Sequence, residues 1–317
     1  MNPFIFLPIA GISVPVLLLF GLGLGVGFLS GLFGVGGGFL LTPLLIMIGI
    51  PPTVAAASDS NQIVAASTSG TLAHWRRNNV DIKMGSILLI GGVIGGTIGV
   101  QIIKILRTTG NADFVIEVIY ILMLGIIGAY MFQESLRNLR APLEKIREAA
   151  TEESGTVRKK KTSKIAQVYQ SFPFQTHFPK SGVTLSIFVP LSLGILVGIL
   201  AAIMGVGGGF IMVPVMVYML RMPMHVVVGT SLFQILFTCI NVTFMQAYYN
   251  QTVDIVLALI LLFGSTIGAQ VGAKVSDRLN ADQLKIVLAS IVLLVMLQLT
   301  FGLISPPDLL LSIQGGH

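Results

Sequence analysis

Gly34-Val35-Gly36-Gly37-Gly38-Phe39, with Pro43 four residues on, returns as Gly205-Val206-Gly207-Gly208-Gly209-Phe210, with Pro214 four residues on. Seven of the ten positions from Gly34 to Pro43 are identical in the second copy, at an offset of 171 residues. Both copies stand inside long apolar runs. Three adjacent glycines cannot hold a helix there, because each loses roughly 0.5–1 kcal/mol of helix stability relative to alanine. In lipid, a broken helix is tolerated only where it is buried in protein or lines a watery cavity. Paired interruptions at corresponding points of two halves point to a transporter's binding site. The pattern predicts a carrier of small solutes.

Composition fixes the class. The chain has 317 residues, 54% hydrophobic and 10% charged, with a mean hydropathy of +0.90. A soluble domain carries about 25% charged residues. The 36 glycines follow no Gly-X-Y period and suit close-packed membrane helices. The one cysteine, Cys239, lies in an apolar stretch and reads as a small buried hydrophobe. Met1 to Gly11 hold no Lys or Arg, so a cleaved signal peptide with a basic start is not expected.

Apolar segments fall near residues 11–33, 39–50, 53–74, 84–106 and 113–132, and again near 185–204, 210–220, 223–247, 253–276 and 282–304. A spanning helix needs about 20 apolar residues. Segments 39–50 and 210–220 are short, and read as half-helices or tilted pieces following the breaks. The expected fold is an all-α polytopic membrane protein built of two inverted repeats. Each repeat has about five helical segments and opens with a glycine-broken helix pair. The first repeat covers 11–132, a basic linker 133–184, and the second repeat 185–304. From Gln133 to Gly182 the linker holds ten Lys/Arg against five Glu. Leu136 to Ala150 reads as a short amphipathic surface helix, and Thr151 to Ser163 as flexible. The net charge of +6 resides largely here, so nucleic acid is not an expected partner.

Charge also orients the chain, since cytoplasmic loops are enriched in Lys and Arg. If each short segment re-crosses beside the helix before it, seventeen of nineteen Lys/Arg fall inside and only Lys104 and Arg107 outside. If each broken pair counts as a single crossing, the split is thirteen to six. The first topology is expected: an odd number of crossings per half, opposed halves, both termini outside and the linker cytoplasmic. The loop His74–Asp81 is basic, whereas its repeat mate Gln246–Asp254 has no Lys or Arg, although both end in Val-Asp.

The repeat carries two kinds of glycine. Gly91, Gly95 and Gly99 match Gly264, Gly268 and Gly272 as a GxxxGxxxG face, which with Gly23, Gly27 and Gly31 lets helix backbones approach closely. Asn111-Ala112-Asp113 and Asn280-Ala281-Asp282 match as helix N-caps. The breaks differ. Each precedes a short helix whose first N–H groups lack intrahelical partners and, with the helix dipole, suit an anion. Gly34, Gly36, Gly37 and Gly38, with Gly205, Gly207, Gly208 and Gly209, are therefore candidate substrate-binding residues.

The third run of each half is unusually polar. Ser60 and Asn61 in the first half, and Thr230, Ser231 and Gln234 in the second, are candidates to complete an oxyanion cage with hydroxyl and amide groups. Asp59 and Glu117 are the acids placed well inside apolar runs, and an intramembrane carboxylate suggests a proton relay. Asp59 has Thr230 as its repeat mate, so it breaks the symmetry and is the stronger candidate for coupling. His74 and His225 read as interfacial. No Gly-Lys-Ser/Thr, HExxH, CxxC or GxSxG occurs, so neither an enzyme nor a cofactor or metal site is expected.

Gly31-Leu32-Phe33-Gly34-Val35-Gly36-Gly37-Gly38, a proline soon after, and the second Gly-Val-Gly-Gly-Gly with Gly229-Thr230-Ser231 resemble the TauE/SafE family of sulfite exporters. The likeness covers both halves, from about Gly21 to Gly302. It implies an inner-membrane permease for sulfur-containing anions such as sulfite, sulfoacetate, other organosulfonates or thiosulfate. Where the second half has Gly-Thr-Ser, the first has Ser58-Asp59-Ser60, a departure that bears on substrate and coupling. The expectation is a secondary exporter of a small sulfur oxyanion working by alternating access. The alternatives are a proton- or sodium-coupled anion importer, and a membrane partner delivering a sulfur species to a cytoplasmic enzyme through the linker.

Overall fold

The computed structural model describes residues 3–33, 38–149, 174–220, 222–276 and 281–304. Among these the chain forms ten α-helices and two β-hairpins. The first half begins with a hairpin, β1 (Phe4–Leu7) and β2 (Ile12–Pro15), closed at Gly11 in a left-handed conformation. Helices α1 (Val16–Phe33), α2 (Gly38–Met47), α3 (Pro52–Arg76), α4 (Ile82–Thr108) and α5 (Ala112–Ala149) follow. The second half repeats the order: a hairpin of β3 (Gln175–Phe178) and β4 (Val183–Ser186), then α6 (Phe188–Met204), α7 (Gly209–Pro214), α8 (Met224–Met245), α9 (Ile255–Ser276) and α10 (Ala281–Ile304). A π-helical turn, Val215–Met219, extends α7, and another, Gln246–Asn250, extends α8.

Local chemistry sets these boundaries. Helix α2 stops where Gly49, at φ +92°, lets the Ile50 amide reach back to the Leu45 carbonyl at 3.1 Å, a glycine-dependent helix ending. Pro51 and Pro52 then open α3, and proline is well suited to a first helical turn because its missing N–H is not needed there. Asp81 caps α4 by accepting from the Met84 amide at 3.0 Å. Helix α5 starts directly after Asn111, but Asp113 serves a different helix: its carboxylate accepts from the Thr53 amide at the start of α3 at 3.0 Å.

Two differences from the sequence reading stand out. Residues 136–149 are the last turns of one continuous 38-residue α5 rather than a separate surface helix. The hairpins were not anticipated. They sit at the repeat offset, Gly11 (φ +69°) matching Gly182 (φ +66°), and share a Pro-x-x-Gly pattern at Pro8–Gly11 and Pro179–Gly182.

The halves interlock by exchanging equivalent helices. Helix α1 packs along α9 as α6 packs along α4, while α3 pairs with α8 and α5 with α10. The α4–α6 seam is backbone against backbone. A Cβ on Gly91 would fall 3.0 Å from the Cα of Gly194, and one on Gly95 or Gly198 would overlap carbonyls of the facing helix. The equivalent seam places Gly23 against Leu261, Gly27 against Ser265, and Gly268 against Leu24 and Phe28. The glycine stripes thus act in packing. Contacts also give directions. Ile63 meets Ile235 and Cys239, Gly70 meets Leu232, and Trp75 packs on Phe233, so α3 and α8 run antiparallel. Gly125 against Met296 and Gly128 against Leu293 show the same for α5 and α10.

Large apolar side chains cover much of the outer surface, while the interior holds apolar clusters together with the polar residues of α3 and α8. Ile90, Ile94 and Ile98 on α4, Phe263 and Ile267 on α9, and Leu294, Leu297 and Phe301 on α10 are exposed. Among the described residues, Ile82–Thr108, Ala112–Gln133, Met224–Asn250, Ile255–Gly272 and Val287–Ile304 are long and apolar enough to cross a membrane. Val16–Ser30, Gly38–Met47 and Phe188–Met204 are apolar but shorter. Helix α3 has the length, at 25 residues, but its serines, threonines, Asp59 and Gln62 keep it too polar for that group.

Candidate functional site

The second break is built by glycine geometry. Helix α6 ends at Met204, and Gly205 turns left-handed at φ +71° with its amide bonded back to the Ala201 carbonyl at 2.8 Å. Gly207 (φ +67°) and Gly208 (φ +74°) repeat that conformation, after which the Gly208 carbonyl accepts from the amides of Ile211 and Met212 to start α7 at Gly209. Left-handed backbone costs roughly 1–2 kcal/mol per residue with a Cβ, so three such positions in four demand glycine. Space demands it too. A Cβ on Gly205 would overlap the Ala56 carbonyl, and one on Gly207 would fall 2.7 Å from Ile235 and 3.0 Å from the Cys239 sulfur. The Tyr120 hydroxyl donates to the Met204 carbonyl, satisfying one of the acceptors that the end of α6 leaves open.

Of the first break, Gly34, Gly36 and Gly37 lie outside the described residues. Gly38 is described: it is the buried first residue of α2, and a Cβ there would meet Ile63 and fall 3.2 Å from the Asp59 carboxylate. The two breaks converge. Phe39 and Phe210, the residues after the two glycine runs, stack with ring centroids 5.8 Å apart. One stretch of α3, Ala56 to Ile63, touches Gly38 on one side and Gly205 and Gly207 on the other.

Asp59 stands in that stretch and is fully buried. Its Oδ2 accepts from the Thr42 hydroxyl of α2 at 2.8 Å, and its Oδ1 has no partner among the described residues. Gln62, one turn on, is buried with its Oε1 also unpartnered. Across the seam, Gln234 is buried on α8. Its Nε2 donates to Thr238 Oγ1 at 2.9 Å, while its Oε1 has no partner among the described residues. Native interiors leave few buried polar atoms unpaired, yet α3 and α8 hold six among the described residues: these three with Thr71 Oγ1, His74 Nδ1 and Thr243 Oγ1.

Other candidates are committed elsewhere. The Ser60 hydroxyl donates to the Ala56 carbonyl at 3.1 Å, and the Ser231 hydroxyl to the Val228 carbonyl at 3.1 Å. Thr230 is buried, and its hydroxyl accepts from the Asp81 amide at 3.0 Å. Asn61 is half-buried on α3. Glu117 is half-buried on α5, one turn before Tyr120, and no hydrogen bond among the described residues joins it to the cluster. His225 is exposed and His74 half-buried near the end of α3. Thr42 and Tyr120 escaped the sequence reading. The signal for Thr42 was a lone hydroxyl in the apolar stretch Phe39–Ile46. Tyr120 carried no signal, because nothing in sequence links it to Met204.

Comparisons with known proteins agree with this architecture. The family model described as sulfite exporter TauE/SafE matches residues 19–299. A Bacillus subtilis probable membrane transporter protein, YjnA, is 26% identical over 89% of this chain and 97% of its own length. A second from the same organism, YunE, is 24% identical over 88% of this chain and 95% of its own length. In Arabidopsis thaliana, sulfite exporter TauE/SafE family protein 2 is 30% identical over 31% of this chain and 21% of its own length. No solved structure matches. Because the family match runs through both halves and both glycine breaks, the chain belongs to the TauE/SafE sulfite exporter family and is an integral membrane transporter.

Proposed function

We propose that the protein is a secondary transporter that exports a small sulfur-containing oxyanion, such as sulfite, sulfoacetate or a related organosulfonate, by alternating access. The halves are read as inverted repeats in the plasma membrane, with both termini outside and the basic linker cytoplasmic. The antiparallel pairing of equivalent helices supports this reading, because it needs a symmetry axis perpendicular to the helices. The substrate is placed between the glycine breaks.

The observation that carries the proposal is the meeting of both breaks on Ala56–Ile63 of α3, the stretch that holds Asp59, with α8 packed alongside through Ile235 and Cys239. Glycine lets a ligand approach the backbone, and short helices starting there supply N–H donors. The unpartnered atoms of Asp59, Gln62 and Gln234, by contrast, are acceptors. They suit an oxyanion in two steps of hydrogen-bond accounting. Turning the Gln234 amide end for end keeps a bond with Thr238, whose hydroxyl then donates, and presents the NH₂ group inward. A proton on Asp59 Oδ1 gives that oxygen a donor for the anion. Substrate and proton then occupy the site together, so the anion leaves down its own outward concentration gradient and the flux responds to the pH gradient through Asp59. Among the described residues one side-chain donor, the Thr42 hydroxyl, reaches Asp59, which leaves Oδ1 open to carry the coupling proton.

The test is uptake of radiolabelled sulfite into proteoliposomes at two pH gradients, with sulfoacetate, thiosulfate, sulfate and chloride as competitors. Saturable flux competed by sulfonates supports the assignment. Folded protein with no flux for any sulfur anion overturns it.

A further inference from the structure

Two aspartates outside the candidate site make matching bonds at opposite ends of the molecule. Asp81, at the start of α4, divides its carboxylate. Oδ1 caps its own helix through the Met84 amide, whereas Oδ2 accepts from the Ser181 amide at 3.1 Å and the Ser181 hydroxyl at 2.5 Å, both on the second-half hairpin. Its own amide donates to Thr230 Oγ1 on α8. Asp254, at the start of α9, does the same in reverse. Oδ1 accepts from the Val256 and Leu257 amides at 3.1 Å each, and Oδ2 accepts from the Ile9 amide of the first-half hairpin at 3.0 Å. Its amide donates to Ser58 Oγ on α3 at 3.1 Å. Each aspartate ties its own half to the other, and Asp81, Asp254, Ser181, Ser58 and Thr230 are all buried.

Position gives these ties their meaning. Ser58 lies two turns into α3 and the loop after Arg76 follows its last residue, so the two are separated by roughly 27 Å along the helix at 1.5 Å of rise per residue. The candidate site lies between the ties and touches both: Ser58 precedes Asp59, and Thr230 lies one turn before Gln234. We infer that Asp81 and Asp254 are the gate latches of the transport cycle, one at each membrane face, holding the halves together on that side until it opens. This rests on the alternating-access reading above. Both latches are closed in this structure, as an occluded carrier requires, and opening to either side breaks one set of bonds and keeps its mate.

The chemistry explains why both positions carry aspartate rather than asparagine, itself a good helix cap. Both oxygens accept at once. Asparagine would keep the cap with its oxygen but turn an NH₂ group toward the Ser181 or Ile9 amide, donor against donor. Asp81→Asn and Asp254→Asn therefore unlatch without uncapping.

The experiment uses full-length protein carrying Cys239→Ser and a reporter, Asn61→Cys, in proteoliposomes of known orientation, labelled by a membrane-impermeant maleimide from one side at a time. Asp81→Asn is expected to raise labelling about tenfold from the face bearing residues 76–83 alone, and Asp254→Asn from the opposite face alone. Ser181→Ala and Ser58→Ala, which remove one bond each, should give smaller changes on the same respective sides, and they carry the test if an aspartate variant is not monodisperse. Unchanged labelling in every variant, or equal increases from both faces, overturns the latches. No substrate is involved, so sided labelling without sulfur-anion flux would overturn the substrate reading while keeping the gates, and flux without sided labelling would do the reverse.

Discussion

The glycine seams and the α3–α8 seam are both contacts between the two halves, yet they are made of opposite materials. Along α4–α6 and α1–α9, helices touch through backbone, with Gly91, Gly95, Gly194 and Gly198 on one seam and Gly23, Gly27, Gly264 and Gly268 on the other. Among the described residues, no buried polar side chain of these four helices lacks a partner. The α3–α8 pair instead buries Ser58, Asp59, Ser60 and Gln62 on one helix and Thr230, Ser231, Gln234 and Thr238 on the other, and leaves six polar atoms without partners among the described residues. Dry seams of interlocked backbone resist sliding, because dense packing has few alternative arrangements. A polar seam with unspent hydrogen-bonding capacity can exchange partners with a ligand. The difference separates the parts that hold the halves together from the part that binds.

The sharpest way to break this comparison is at a glycine seam. Gly95→Leu drives a side chain into the Ile195 carbonyl, and backbone cannot yield as side chains do. The expected cost exceeds about 3 kcal/mol, beyond ordinary overpacking, and Gly268→Leu at the equivalent seam should match it. Thermal stability in detergent checks both, and a well-folded Gly95→Leu would show that the seam is not close-packed. Next comes the break. Gly208→Leu meets Val197 and a left-handed backbone. It should abolish saturable flux, with a smaller loss of stability than Gly95→Leu.

Smaller effects sharpen the polar seam. Asp59→Asn should remove the response to the pH gradient and lower flux about tenfold, equivalent to roughly 1.4 kcal/mol, with stability little changed because the Thr42 hydroxyl still finds an oxygen. A variant that keeps the gradient response would exclude Asp59 from coupling. Smallest of all is Ser60→Ala. Its hydroxyl is already bonded to Ala56, so flux should stay within about twofold, under roughly 0.5 kcal/mol. A large loss would mean that the hydroxyl leaves Ala56 for the substrate.

Much of this was legible before folding. The repeated glycine run located both breaks, the GxxxGxxxG stripes announced the dry seams, and the isolated acid at Asp59 marked the asymmetric point of the polar one. Those signals are local: three glycines or one carboxylate in apolar surroundings carry the same physical meaning wherever the chain goes. The hairpins were harder, because four-residue strands beginning Phe4 and Gln175 share little beyond Pro-x-x-Gly. The latches were not legible. Val-Asp at two loop ends reads as a pair of turns until Ser181 and Ile9 are brought from 100 and 245 positions away.

The sequence alone thus determined the membrane class, the two repeats and where helices cannot continue, since burial in lipid and helix propensity act within a few residues. Only the tertiary structure decided which polar groups are spent and which are free. Ser60, Ser231 and Asp59 look equally available in the sequence, but a hydroxyl can turn to its own helix, whereas a carboxylate must find donors on another. The packing of α2 against α3 supplied one such donor, Thr42, and left the second oxygen of Asp59 buried without a partner among the described residues.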